Sequence, residues 1–179
     1  MTSTLLTNLD DILHMTSISG SIDEYKINPH ILNAQILYLE PILGSDLYEK
    51  IIDLVETNAI SGETNYKLLL DDYIIPSLVF HCCELYIPFN SYIISDVGTF
   101  QFQPSNANPN PQSEIDRLSN RYRTIGAKYD DKLVKYLCKN SNMFPEYTNN
   151  TGLVDKTETT NRATGWYLGT NNIQSKIRT

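Results

Sequence analysis

The chain has 179 residues, 41% of them apolar, and a formal net charge of −7. That is enough apolar content for one core, and no apolar run approaches the roughly 20 residues that a membrane-spanning helix needs, so a membrane protein is excluded at this level. The charge is uneven: residues 1–112 hold 3 basic and 14 acidic side chains, residues 113–140 hold 7 and 4, and residues 141–179 hold 4 and 3. A strongly acidic first part argues against a duplex-DNA clamp, which needs cations against phosphates. It also predicts that the basic segment meets an acidic surface, within the subunit or on a neighbour. Three cysteines, Cys82 and Cys83 together and Cys138 alone, make no disulfide framework and predict synthesis in a reducing compartment. The opening MTSTLLTNLDDILHM carries Asp10 and Asp11 without a basic start, which argues against a secretory leader.

Thr7 is a candidate cap for a short helix over residues 8–14, and TSISGSIDE after it reads as turn or extended chain. The first clear helix is predicted to start at Asn28-Pro29, a favoured cap followed by proline at the first helical position. Leu32, Ile36, Leu39 and Leu43 make its apolar stripe, Pro41 kinks it or tightens its end, and Gly44 closes it. Ser45 then caps a second helix with Leu47, Ile51, Leu54 and Val55 on its buried side. A third helix runs from Glu63 to Phe89. Its second half is apolar on nearly every side, which predicts burial all round, with bends at Pro76 and Pro88.

The segment from Ser95 to Gln112, SDVGTFQFQPSNANPNPQ, is longer than most helix connections. Residues 97–103 alternate and predict a strand, with residues 104–112 as its return. The fourth helix, capped by Ser113 and running over residues 114–139, has Ile115, Leu118, Tyr122, Ile125, Tyr129, Leu133 and Tyr136 at helical spacing. Residues 141–179 are rich in Thr and Asn and cannot support a core of their own. The expectation is a mainly α protein. Residues 1–140 form a small antiparallel bundle of about four helices with a strand-bearing insert over 95–112, and residues 141–179 form an extended arm. Within that arm, Trp166, Tyr167 and Leu168 stand out as an anchor for a groove.

No motif for chemistry emerges. His81, Cys82 and Cys83 lack the CxxC pairing and fourth ligand of a zinc site, and small buried cysteines are common in helices. The acidic pairs Asp10-Asp11, Asp71-Asp72 and Asp130-Asp131 fall on helices where neighbouring side chains diverge. Neither a phosphate loop nor a GxSxG nucleophile is present. The expectation is no catalytic, cofactor or metal site.

Residues 28–54, NPHILNAQILYLEPILGSDLYEKIIDL, join a helix ending in YLEPILG directly to a second helix, SDLYEKI. This stretch, with its LG-x-x-L-Y motif, resembles the opening of the head-tail connector (adaptor) proteins of tailed bacteriophages, especially those infecting Bacteroidetes, crAss-like phages included. The apolar YIIPSLVFHCCELYIPFNSYI and the order of insert, long last helix and arm are similar to the rest of that pattern. The resemblance covers most of residues 4–140. It implies a non-enzymatic virion subunit, made in the bacterial cytoplasm, in a ring commonly of twelve copies below the portal vertex at the head–tail junction. Its partners would be the portal protein and adjacent neck or tail rings, with DNA passing the lumen unbound and no membrane contact. On that view Arg117, Arg121, Lys128 and Lys132 on the basic side, and Asp71 and Asp72 on the acidic side, are subunit-interface candidates. Val97, Phe100 and Phe102 of the insert contact a partner's sheet edge, and Trp166, Tyr167 and Leu168 another ring. The alternative is a small acidic helical interaction protein acting outside the virion.

Overall fold

Asn8 starts the first helix, α1 (Leu9–Met15): its side chain accepts from the Asp11 amide at 2.9 Å while the Asp11 carboxylate accepts from the Asn8 amide at 3.2 Å. Two orphan amides are thus satisfied reciprocally. Thr7, the cap expected from sequence, instead donates its hydroxyl to Asp11 at 3.0 Å. The computed structural model describes residues 4–20, 22–95, 98–101 and 111–149.

Helix α2 (Glu24–Ala34) begins earlier than expected because Asp23 caps it through the Tyr25 amide at 3.0 Å. Pro29 therefore sits inside the helix and not at its start. At Gln35–Leu39 the helix widens into a π turn, then continues as α3 (Glu40–Leu43). The same device recurs between α5 (Thr64–Leu69) and α6 (Ile75–Asn90), where Leu70–Ile74 is π-helical. In both places the closing bond spans five residues, Glu40 amide to Gln35 carbonyl and Ile75 amide to Leu70 carbonyl, and the next residue is proline, Pro41 or Pro76. A proline ring crowds the carbonyl four residues back and offers no N–H. A turn one residue wider gives that carbonyl room while the helix carries on.

The wider turn also changes phase. The buried positions of this first long helix are Ile27, Ile31, Ala34, Gln35, Leu39 and Leu43, whereas Ile36 is 47% exposed and Leu32 only partly buried. Two members of the expected stripe thus lie outside the core. Gly44 then closes α3 by donating to Glu40 (2.8 Å) and opens α4 (Ser45–Glu56) by accepting from Tyr48 (3.0 Å). Its φ of 75° suits glycine, which explains why the corner can be one residue long.

Helix α6 is the axis of the molecule. Residues 76–84 are all buried, as its apolar sequence predicts, and α1, α2 and the long α7 (Gln112–Lys139) pack around it. Both α2 and α7 run antiparallel to it: His30 meets Tyr86 and Tyr38 meets His81, while Tyr73 stacks on Tyr136 and Phe80 on Tyr129. The face of α7 turned inward is Ile115, Ser119, Tyr122, Gly126, Leu133 and Leu137. Leu118 and Ile125, expected in the core, are exposed.

The insert begins as a hairpin. β1 (Tyr92–Ser95) pairs antiparallel with β2 (Gly98–Gln101), with Tyr92 opposite Gln101 and Ile93 opposite Phe100. Among the described residues the partner of the predicted strand is the segment before it; residues 102–110, most of the expected return, lie outside the described residues. The expected boundary at residue 140 also moves. Phe144 is fully buried, packs edge-on against Tyr66 at 5.4 Å, and leads into α8 (Pro145–Asn149), which lies on α4. Tyr147 is buried too, and the Tyr66 hydroxyl donates to Glu146 at 2.8 Å. A segment too poor in apolar residues for its own core joins the existing one through two aromatics; residues 150–179 lie outside the described residues.

Truncating a buried phenylalanine costs about 3–5 kcal/mol. Phe144→Ala is expected to lose that much stability in urea unfolding followed by far-UV circular dichroism, and truncation after Asn140 at least as much. An unchanged midpoint in both would show that residues 141–149 are not part of the folded body.

Candidate functional site

One apolar helix carries a histidine and a carboxylate into the core. His81 and Glu84 lie one turn apart on α6, each 2% exposed, and the Nδ1 of His81 is 3.1 Å from Glu84 Oε2. From α7, Asp130 Oδ2 reaches His81 Nε2 at 2.8 Å, and Arg123 Nε donates to Glu84 Oε1 at 2.6 Å. From the π turn of the first long helix, the Tyr38 hydroxyl donates to the same Glu84 oxygen at 3.0 Å. Its ring stacks on the imidazole, centroids 4.0 Å apart and planes within 6°. Ser77 donates to Asp130 at 2.5 Å and Ser119 donates to the Glu84 carbonyl at 2.9 Å. Among the described residues no buried side-chain nitrogen or oxygen lacks a partner.

Burial pulls the His81 pKa down, but the hydrogen bond and charge of Asp130, then of Glu84, outweigh it and leave the pKa raised. A histidine that bonds carboxylates through both nitrogens is held as the imidazolium. Gly126 on α7 makes this possible: a Cβ there would stand 2.8 Å from His81 Cε1. Both ring nitrogens are engaged and one ring face is covered by Tyr38. This arrangement suits a clamp between three helices, since a general base needs a ring nitrogen whose lone pair is free to reach substrate. Burial pushes the Cys83 thiol up to about 12 and the Cys82 thiol higher, which keeps both protonated and unreactive. Among the described residues no three His, Cys, Asp or Glu side chains stand together as metal ligands.

Sequence reasoning passed over Glu84, Tyr38 and Arg123. A lone carboxylate amid the apolar run of α6, one turn from a histidine, was the available signal. It also passed over Gln35, which is fully buried, accepts from the Leu6 amide at 2.8 Å and donates to the Thr4 carbonyl at 3.2 Å. That side chain pins the start of the chain to the body.

The interface candidates lie on two surfaces. Arg117 is exposed and pairs with Glu114 one turn before it at 3.4 Å. Arg121 and Lys128 are exposed on the same side of α7, and Lys132 lies over the Tyr73 ring at 4.9 Å. Asp71 and Asp72 sit in the second π turn, both exposed, with Asp71 held by Lys67 at 2.7 Å. Phe100 stands opposite Ile93 in the hairpin. Val97, Phe102, Trp166, Tyr167 and Leu168 lie outside the described residues.

Among the hollows that the described residues form on the surface, two flank the core helices. One, of about 410 Å³, lies between the end of α1 and α7 and is lined by Met15, Phe80, Leu118, Arg121, Tyr122 and Ile125. The other, of about 430 Å³, lies between α2, the end of α6 and β1, with Tyr25, His30, Tyr86, Phe89 and Tyr92 around it. Burial lowers the His30 pKa, so its ring joins the aromatic wall of the second hollow in the neutral form, with Lys26 at the rim of the same lining. Beside the first, by contrast, runs the basic edge of α7.

The match to known proteins is with DUF6712, a family of unknown function, over residues 39–157, more than half of the chain. The chain belongs to this family. The matched span opens at Leu39, the last residue of the first π turn, and takes in the Gly44 corner, α6, the hairpin, α8 and, of the clamp, His81, Glu84, Arg123 and Asp130 but not Tyr38. No curated protein and no solved structure matches the chain. Among the described residues no helix is long and apolar enough to cross a membrane.

The clamp sets a pH dependence. Because the folded chain raises the His81 pKa, its contribution to stability is complete below the ordinary imidazole value of 6.5 and is lost as pH rises through the raised value. The groups facing the imidazole are Asp130, Glu84 and Tyr38, with Arg123 on Glu84. The unfolding free energy is expected to fall on the alkaline side of neutrality, and His81→Gln is expected to remove that dependence. Gly126→Ala, which must displace the ring, is expected to cost about 1–3 kcal/mol. A flat pH profile in the unsubstituted protein, read by urea unfolding, would rule the clamp out as the source.

Proposed function

We propose that the chain is a structural virion subunit, one copy in a ring below the portal vertex of a tailed phage, joining head to tail and continuing the DNA exit channel. The observation that carries this reading is the LG-x-x-L-Y corner between α3 and α4, set in a mainly helical body. The exposed basic edge of α7, Arg117, Arg121 and Lys128, supports it, since the first 112 residues are strongly acidic. A small body with opposite charges on different faces suits the heterologous contacts that close a ring. An acidic lumen lets DNA slide past without sticking. The partners on this reading are further copies, commonly twelve, the portal protein and the adjacent neck or tail rings. No catalysis is involved.

Negative-stain images of the purified chain, alone and mixed with portal, test the proposal. Closed rings are expected, on their own or seated on portal. Dispersed single subunits under both conditions would overturn it and favour a small acidic interaction protein acting alone.

A further inference from the structure

Helix α4 carries Asp46, Glu49, Asp53 and Glu56, all exposed and spaced 3, 4 and 3 residues apart, so they form one stripe; Lys50 is its only cation. Among the described residues no cation lies within ion-pair distance of these four carboxylates. The stripe on α7, Arg117, Arg121 and Lys128, has the same character with opposite sign. Among the described residues Arg121 and Lys128 have no carboxylate partner. At about 1.5 Å rise per residue the two stripes are each roughly 15–17 Å long.

Each stripe has an apolar edge beside it. On α7 this is Leu118, 45% exposed, and Ile125, 38% exposed, both within a turn of Arg121. On α4 it is Ile52 and Val55, each half-buried and within a turn of Glu49 or Glu56. Among the described residues neither stripe finds its complement, because α4 packs on α3 and α8 while α7 packs on α6. We infer that the acidic face of α4 on one copy docks on the basic, apolar-edged face of α7 on the next, a head-to-tail contact between copies of this chain. The counter-face of α7 is then α4 and not the Asp71–Asp72 turn, where Asp71 is already engaged by Lys67. The inference rests on the ring reading for its biological setting. Its geometry stands on the two faces alone.

Two double variants test it, Glu49→Lys with Asp53→Lys and Arg121→Glu with Lys128→Glu. All four positions are exposed, so both chains are expected to keep the parent helix content. In sedimentation equilibrium at low salt the parent chain is expected to self-associate, and each double variant to do so at least about tenfold more weakly, since like charges then face each other. A one-to-one mixture of the two variants is expected to recover association, because each altered face then meets its opposite. High salt weakens the parent contact. A parent chain that stays monomeric, or association unmoved by both reversals, would overturn the inference. Rings that persist through both reversals would leave the ring reading standing and defeat this contact. Open chains that obey the charge swap without closing would do the reverse.

Discussion

A helix buried on every side cannot carry charge unless the core supplies the counter-charge, and α6 carries two charged side chains. His81 and Glu84 are met by Asp130 and Arg123 of α7 and by Tyr38 of the first long helix. Removing one member of such a group leaves another charge buried and unpaired, which costs several kcal/mol. The three helices therefore have one register in which every member is satisfied. Gly126 shows how close the fit is: α7 approaches the imidazole so nearly that only a residue without a side chain fits. The aromatic contacts between Tyr73 and Tyr136 and between Phe80 and Tyr129 extend the same seam toward α8.

The two proline-linked π turns act on this frame by phase. Each lets a helix pass a proline without ending, and each rotates the next stretch of helix by one residue. In the first, Gln35 turns inward to hold the chain start while Ile36 and Leu37 turn out. Tyr38 in the same turn reaches the clamp. The second places Asp71 and Asp72 on the surface just before the most buried stretch of the chain. A regular helix through either proline would have to break a bond or bend, and the face pointing at α6 would differ.

With the interior charges neutralised among themselves, the remaining charge is free to act outward. Acidic side chains of α4 and basic side chains of α7 sit on a body whose helices are locked in register, so the faces they make are rigid. Rigid, oppositely charged faces favour association because little side-chain or backbone order has to be created on contact. This is the physical sense in which the interior clamp and the proposed assembly are linked: the first holds α7 in place, and the second uses its outer edge.

Much of the architecture was legible from the chain itself. The Gly44 corner, the all-round burial of α6, the length of α7 and the mainly α class come from local rules of capping, glycine conformation and apolar spacing, which need only neighbours in sequence. What the chain alone could not show was phase and partnership. Leu118 and Ile125 have the spacing of core residues, yet the inward face of α7 is set by where Gly126 and Asp130 must meet His81, a contact 45 and 49 residues away in sequence. The strand at residues 98–101 was visible, but its partner was hidden in the end of an apolar helix pattern. Phe144 looked like the start of an unstructured arm, and only the gap beside Tyr66 made it core. Sequence by itself determined where the long helices run and which sides of them are able to face inward. The tertiary structure decided which of those sides do, because burying the charges of α6 allows only one arrangement of its neighbours.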